Sequence, residues 1–97
     1  MSSHFIVVHQ QVPADQEIKF IEFLDSIGGF WWHWIPNYWL IRPVEKTSAE
    51  EIRDKFQEIA SGRDVLVLSV TIDEWSGFGP KGSDQDMFKW LHAQIKI

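Results

Sequence analysis

The sequence predicts an α+β fold with elements in the order βαββαβ, a four-stranded antiparallel sheet with two helices on one face, followed by a C-terminal loop and short helix. Three observations carry this. Two stretches, Pro13 to Ile27 and Ser48 to Gly62, repeat apolar residues at three- and four-residue spacing, the period of a half-buried helix. Two runs, His4 to His9 and Asp64 to Ile72, are apolar on both alternating faces, as in strands inside a sheet. Between the helical stretches, residues 29 to 42 hold the only tyrosine and four of the six tryptophans, arranged as two aromatic arms about a turn.

The first strand, His4-Phe5-Ile6-Val7-Val8-His9, has no polar face and belongs inside the sheet; Pro13 ends it. In the first helix Ile18, Phe20, Ile21, Phe23, Leu24 and Ile27 form the apolar stripe, opposite Asp15, Glu17, Lys19, Glu22 and Asp25. Pro13 and Asp15 open it, and Gly28-Gly29 stops it. In the hairpin, period two sets Phe30, Trp32 and Trp34 against Trp31, His33 and Ile35, then Tyr38 and Leu40 against Trp39 and Ile41. Ile35-Pro36-Asn37 has turn chemistry, and both faces of the hairpin are expected to be buried.

Ser48 and Glu51 form a capping box for the second helix, whose stripe is Ala49, Ile52, Phe56, Ile59 and Ala60, with Glu51 spaced to pair with Lys55 and Gly62 as terminator. Strand, helix, strand, strand, helix, strand folds most simply as a split βαβ pair, the ferredoxin-like arrangement. Both helices then cover one sheet face and leave the other apolar and open. Either the tail or a second copy of the chain must cover it, and the tail alone is small for so wide a face. That tail begins with the irregular loop Asp73 to Gly82, carrying Trp75 and Phe78. Its glycines lack the spacing and the Lys-Ser/Thr pair of a phosphate loop. Ser83-Asp84-Gln85-Asp86 reads as a cap for a last helix with Met87, Trp90 and Leu91 on one face, and Ile95-Lys96-Ile97 alternates like an edge strand.

Ninety-seven residues without repeat or linker fit one domain, residues 1–97. A hydrophobic content of 44% with 14% aromatics exceeds what one small core requires, so self-association is expected. The absence of cysteine excludes disulfides, thiolate metal sites and a cysteine nucleophile. The opening Met1-Ser2-Ser3-His4 lacks a signal peptide's basic region and apolar core, and no segment approaches membrane-spanning length, so a soluble, cytoplasmic protein without membrane partners is expected.

A net charge of −5 disfavours nonspecific phosphate binding. The tryptophans could stack single-stranded nucleic acid, yet the hairpin carries only Arg42 as a cation; Arg42, Lys46 and Arg63 are the residues that would serve such binding. His4, His9, His33 and His92 contain no ligand pair at metal-binding spacing, so neither metal nor other cofactor is expected. His9 and His33 fall on the sheet, where an imidazole among tryptophans needs a polar partner. Glu50, Asp54 and Glu58 mark a solvated helix face, whereas Asp73 and Glu74 stand where a strand gives way to a loop, a common place for functional groups. Core or dimer-interface packing is the stronger role for the aromatic residues, with Trp31, His33, Trp39, Trp75, Phe78 and Trp90 as candidate dimer or partner contacts.

Several motifs together resemble a known group: Gly29-Phe30-Trp31-Trp32-His33-Trp34 with Tyr38-Trp39-Leu40-Ile41, Ala49-Glu50-Glu51-Ile52-Arg53-Asp54, Asp64-Val65-Leu66-Val67-Leu68, and Trp75-Ser76-Gly77-Phe78 with Phe88-Lys89-Trp90-Leu91. Over nearly the whole chain they are similar to the small bacterial SinR-like proteins, described as relatives of the second CRISPR-associated protein. The resemblance implies a ferredoxin-like homodimer with facing sheets; the leading expectation is that this homodimer is a non-catalytic binding or scaffolding module with a protein partner in a defence or mobile-element system. In nuclease-like relatives an aspartate at the end of the first strand is proposed to bind metal between protomers. The matching pair here is His9-Gln10, and a neutral amide is a poor ligand for a hard cation. A metal-dependent nuclease is the alternative, with Asp15 or Asp73 contributing; nucleic-acid binding without cleavage is the third.

Overall fold

The computed structural model describes residues 4–82 and 85–95. Strand β1 (His4–His9) leads to helix α1 (Ala14–Ser26), strands β2 (Phe30–Trp32) and β3 (Tyr38–Arg42), helix α2 (Ala49–Ile59), strand β4 (Val65–Val70) and a short helix α3 (Lys89–Gln94). The four strands form one antiparallel sheet in the order β2-β3-β1-β4. Strand β1, apolar from Phe5 to Val8, lies inside the sheet, as its composition requires.

Helices α1 and α2 pack on one face of the sheet. Phe5, Val7, Trp39 and Ile41 from the strands meet Phe20 and Leu24 of α1 and Ile52 and Phe56 of α2. The opposite face carries a second core, in which Trp32 and Leu40 meet Met87, Leu91 and Ile95 of the tail. The chain is thus layered as helices, sheet and tail; β4, expected inside the sheet, is instead an edge strand, and its outward Leu66 and Leu68 are exposed because the tail does not reach them. Among the described residues no helix is long and apolar enough to cross a membrane.

Several local expectations need correction. The first hairpin arm ends at Trp32 rather than Ile35, because Pro36 offers no amide to a ladder and Asn37 turns the chain with φ 62°. Trp34 and Ile35 are consequently exposed. Strand β4 ends at Val70, short of Ile72. Ile18 is 56% exposed, so Phe20 and Leu24 carry the buried face of α1, with Ile21, Phe23 and Ile27 half-buried beside them. In α2, Ser48 Oγ accepts the Glu51 amide at 3.1 Å, the predicted cap, but Glu51 receives Thr47 Oγ1 while Lys55 pairs with Glu58 at 3.3 Å. Ser83 and Asp84, read as a cap, lie outside the described residues. Asp86, the last residue of that expected cap, accepts the Phe88 amide on Oδ1 at 2.9 Å. Lys96 and Ile97 of the expected edge strand also lie outside, while Ile95 is buried in the second core.

The tail reaches its position through Gly79. A methyl group there would occupy the space of the buried Met87 thioether. Gly79→Ala is expected to destabilise by about 1–3 kcal/mol through overpacking, read as a lower urea midpoint.

Candidate functional site

Trp39 is the hub of the helix-side core and is 0% exposed. Its indole N–H donates to His9 Nε2 at 2.9 Å. Because indole nitrogen only donates, this bond fixes the imidazole proton on Nδ1, which donates to the Gln10 carbonyl oxygen at 2.6 Å. The His33 ring stacks on Trp39 with centroids 3.6 Å apart and planes inclined by 1°. His33 Nδ1 donates to the Tyr38 carbonyl oxygen at 2.8 Å, and Nε2 lies 3.4 Å from Glu17 Oε1, an ion pair when the ring carries its second proton. Phe20 and Trp31 meet Trp39 edge-on at 5.2 Å and 5.5 Å. Trp31 also donates its indole N–H to Asp25 at 3.2 Å. The imidazole partners expected from sequence are therefore present. Trp39, however, offers no surface to a partner, and Trp31 and His33 support the same packed layer.

The other three aromatic candidates belong to the opposite layer. Trp75 stacks against Phe88 at 6.1 Å and meets His92 edge-on at 5.1 Å. Trp90 lies against the second core, and its buried indole N–H has no hydrogen-bond partner among the described residues. Phe78 is 99% exposed, so of the six it is the one fully presented to solvent. The six residues occupy two faces of the sheet and form no single surface.

The charged candidates are separated as well. His9 faces Val65 and His4 faces Val70 in the β1–β4 ladder. Asp15 follows the His9 end of the sheet and Asp73 the Val70 end, so the two carboxylates do not meet within one chain. Arg42 ends β3 beside the His4 end, with Lys46 following, whereas Arg63 precedes Val65 at the other end. The three cations form no common patch. Gln10 closes the ladder: its side-chain oxygen accepts the Asp64 amide at 2.7 Å while its own backbone amide donates to the Asp64 carbonyl at 3.0 Å. Among the described residues no group of three or more His, Asp or Glu side chains is placed to hold a metal ion.

What the sheet and tail do form between them is a half-open cavity of about 400 Å³. Ile6 and Leu40 form its floor, and Trp32, Tyr38, Trp75 and Phe78 contribute aromatic walls. Trp32 pins the tail over it by donating its buried indole N–H to the Met87 carbonyl at 2.7 Å. Burial raises the Tyr38 pKa above its ordinary value of 10.0 and keeps the phenol neutral. Beyond the tail's reach, the same sheet face is bare: Val8 is 40%, Leu66 58% and Leu68 42% exposed. Cross-strand pairing of Val8 with Leu66 and of Ile6 with Leu68 makes this a continuous apolar strip. Of the cavity residues the sequence singles out Glu74, Trp75 and Phe78 but not the rest of the lining or the strip, although the two-faced runs carry the signal.

The tail's far end is fastened at the other end of the sheet. His4 Nε2 donates to the Gln94 carbonyl at 3.1 Å, and Arg42 donates to Gln94 Oε1 at 2.9 Å. Burial and the nearby Arg42 charge lower the His4 pKa below 6.5, outweighing the opposing bond to Gln94. Its contribution to stability is fully present above pH 6.5 and is lost as pH falls toward the lowered folded value, because the unfolded chain takes up the proton first. Thermal melts across this window should show stability falling with pH, and His4→Gln should flatten the slope. No family model, curated protein or solved structure matches the chain.

Proposed function

We propose that the chain is a non-catalytic binding or scaffolding module that works as a homodimer, joined through the strip of Val8, Leu66 and Leu68. The observation that carries this reading is the exposure of that strip on a sheet face that the tail only partly covers. The strip contains no ionisable side chain. Two copies of a protein of net charge −5 repel one another over most of their surfaces, and an uncharged apolar strip is where they approach most cheaply. A two-fold axis would set the strip against itself, which needs no complementary charge.

The strand order supports a ferredoxin-like description, and the resemblance to SinR-like proteins supports a distant relationship to the second CRISPR-associated protein. On that reading the dimer presents its remaining surface to a protein partner in a defence or mobile-element system. Light scattering after size exclusion at tens of micromolar should give twice the 11.4 kDa chain mass. Leu68→Glu should give a folded monomer, its circular dichroism unchanged. A wild-type monomer at that concentration would refute the dimer.

A further inference from the structure

We propose that the cavity between sheet and tail binds a small lipophilic ammonium cation, a quaternary or tertiary amine bearing an aryl or alkyl group. The site lies within one chain, so the proposal goes beyond the dimer and does not rest on it.

The volume of about 400 Å³ falls in the range of small-molecule pockets, roughly 300–1,000 Å³. Four aromatic residues, Trp32, Tyr38, Trp75 and Phe78, line it. Aromatic faces carry negative potential and attract cations, most strongly where water is excluded. The Trp32 N–H is already committed to the Met87 carbonyl, so this ring has no donor left for an anion. Glu74 is the sole ionisable carboxylate on the wall, and no Lys, Arg or His stands among the described lining residues. The Tyr38 hydroxyl makes no hydrogen bond to another described residue and so keeps its lone pairs for an ammonium N–H or a ligand hydroxyl.

An anion would meet the Glu74 carboxylate with no compensating cation. An uncharged hydrocarbon would gain burial from the floor but nothing from Glu74 or the ring potentials. An ammonium ion with an apolar arm uses both: the arm against Ile6 and Leu40, the charge against the aromatic rings and Glu74. Phe78, almost wholly exposed at the lip, is placed to fold over a bound ligand.

The test is calorimetric titration with benzyltrimethylammonium, paralleled by tryptophan fluorescence, on the wild-type chain and on the Leu68→Glu variant. Saturable binding is expected, with the uncharged isostere neopentylbenzene about tenfold weaker. Glu74→Gln, at an exposed position, should keep the wild-type circular dichroism spectrum, weaken the cation about fivefold and leave neopentylbenzene unchanged. Tyr38→Phe and Trp75→Leu test the wall, with a circular dichroism spectrum confirming that each is folded. Binding by Leu68→Glu alone supports the site and shows that a second copy fills the cavity in the wild type. The proposal is overturned if neither protein binds the cation saturably, if neopentylbenzene binds as tightly, or if Glu74→Gln changes nothing.

Discussion

Trp39→Ala is expected to bring the protein close to unfolding at room temperature. Truncating a fully buried aromatic residue costs about 3–5 kcal/mol in lost transfer energy and cavity formation, against a total stability of about 5–15 kcal/mol for a domain. Here the loss extends beyond volume. His9 Nε2 would forfeit its donor, and His33 would lose the ring on which it stacks. Phe20 and Trp31 would lose their edge contacts in the same step. Trp39→Phe separates the contributions: it keeps most of the packing but leaves the buried imidazole nitrogen unpaired, a loss of about 1–3 kcal/mol. Urea unfolding followed by far-ultraviolet circular dichroism measures both. If Trp39→Phe were as stable as wild type, the indole–imidazole bond would have no energetic role.

Trp32→Ala is expected to have an effect of similar size but in a different place. Trp32 joins the sheet to the tail, both through the second core and through its bond to the Met87 carbonyl. Its removal should release the tail while leaving the layer of Phe20, Leu24, Ile52 and Phe56 intact. Limited trypsin digestion should then cleave rapidly after Lys81 and Lys89, with the helix–sheet portion persisting. Trp32→Phe should keep the ring contacts and lose only the hydrogen bond, about 0.5–1.5 kcal/mol. A Trp32→Ala protein that resisted trypsin as well as wild type would show that the tail is held elsewhere, for instance by His4 and Arg42 at Gln94.

The contrast between these two tryptophans shows what the sequence could convey. Period two places Trp31 and Trp32 on opposite faces of the first arm, and the structure bears that out, with Trp31 against the helix-side core beside Trp39 and Trp32 in the second core; pairing of Trp32 with Leu40 sets the register between the arms. Alternation cannot say which face lies beneath the helices when both are apolar, so Trp39 could be read as a surface contact although it is fully buried. The helices were legible because caps and spacing are local: Ser48 and the stripe of α2 lie within three turns of chain. An open apolar face was legible too, but where the cavity and the bare strip fall on it was not, since that depends on where the tail from Asp73 onward comes to rest across four strands. Ile18 was misplaced for a different reason: it is apolar and three residues from Ile21, but it stands about 200° around the helix from Phe20 and shares the exposed side with Glu22 and Asp25.

The central position of β1 also has a consequence for synthesis. Residues 4–9 pair on one side with residues 38–41 and on the other with residues 65–70, and the tail reaches the same sheet face only through residues 87–95. During synthesis β1, which precedes the other three strands, must therefore wait for almost all of residues 10–95 before its edges and faces are covered. Until then it is a short, uncharged, β-prone segment of the kind that pairs with neighbouring chains. Slow translation, or a stop codon before the tail, would prolong that exposure.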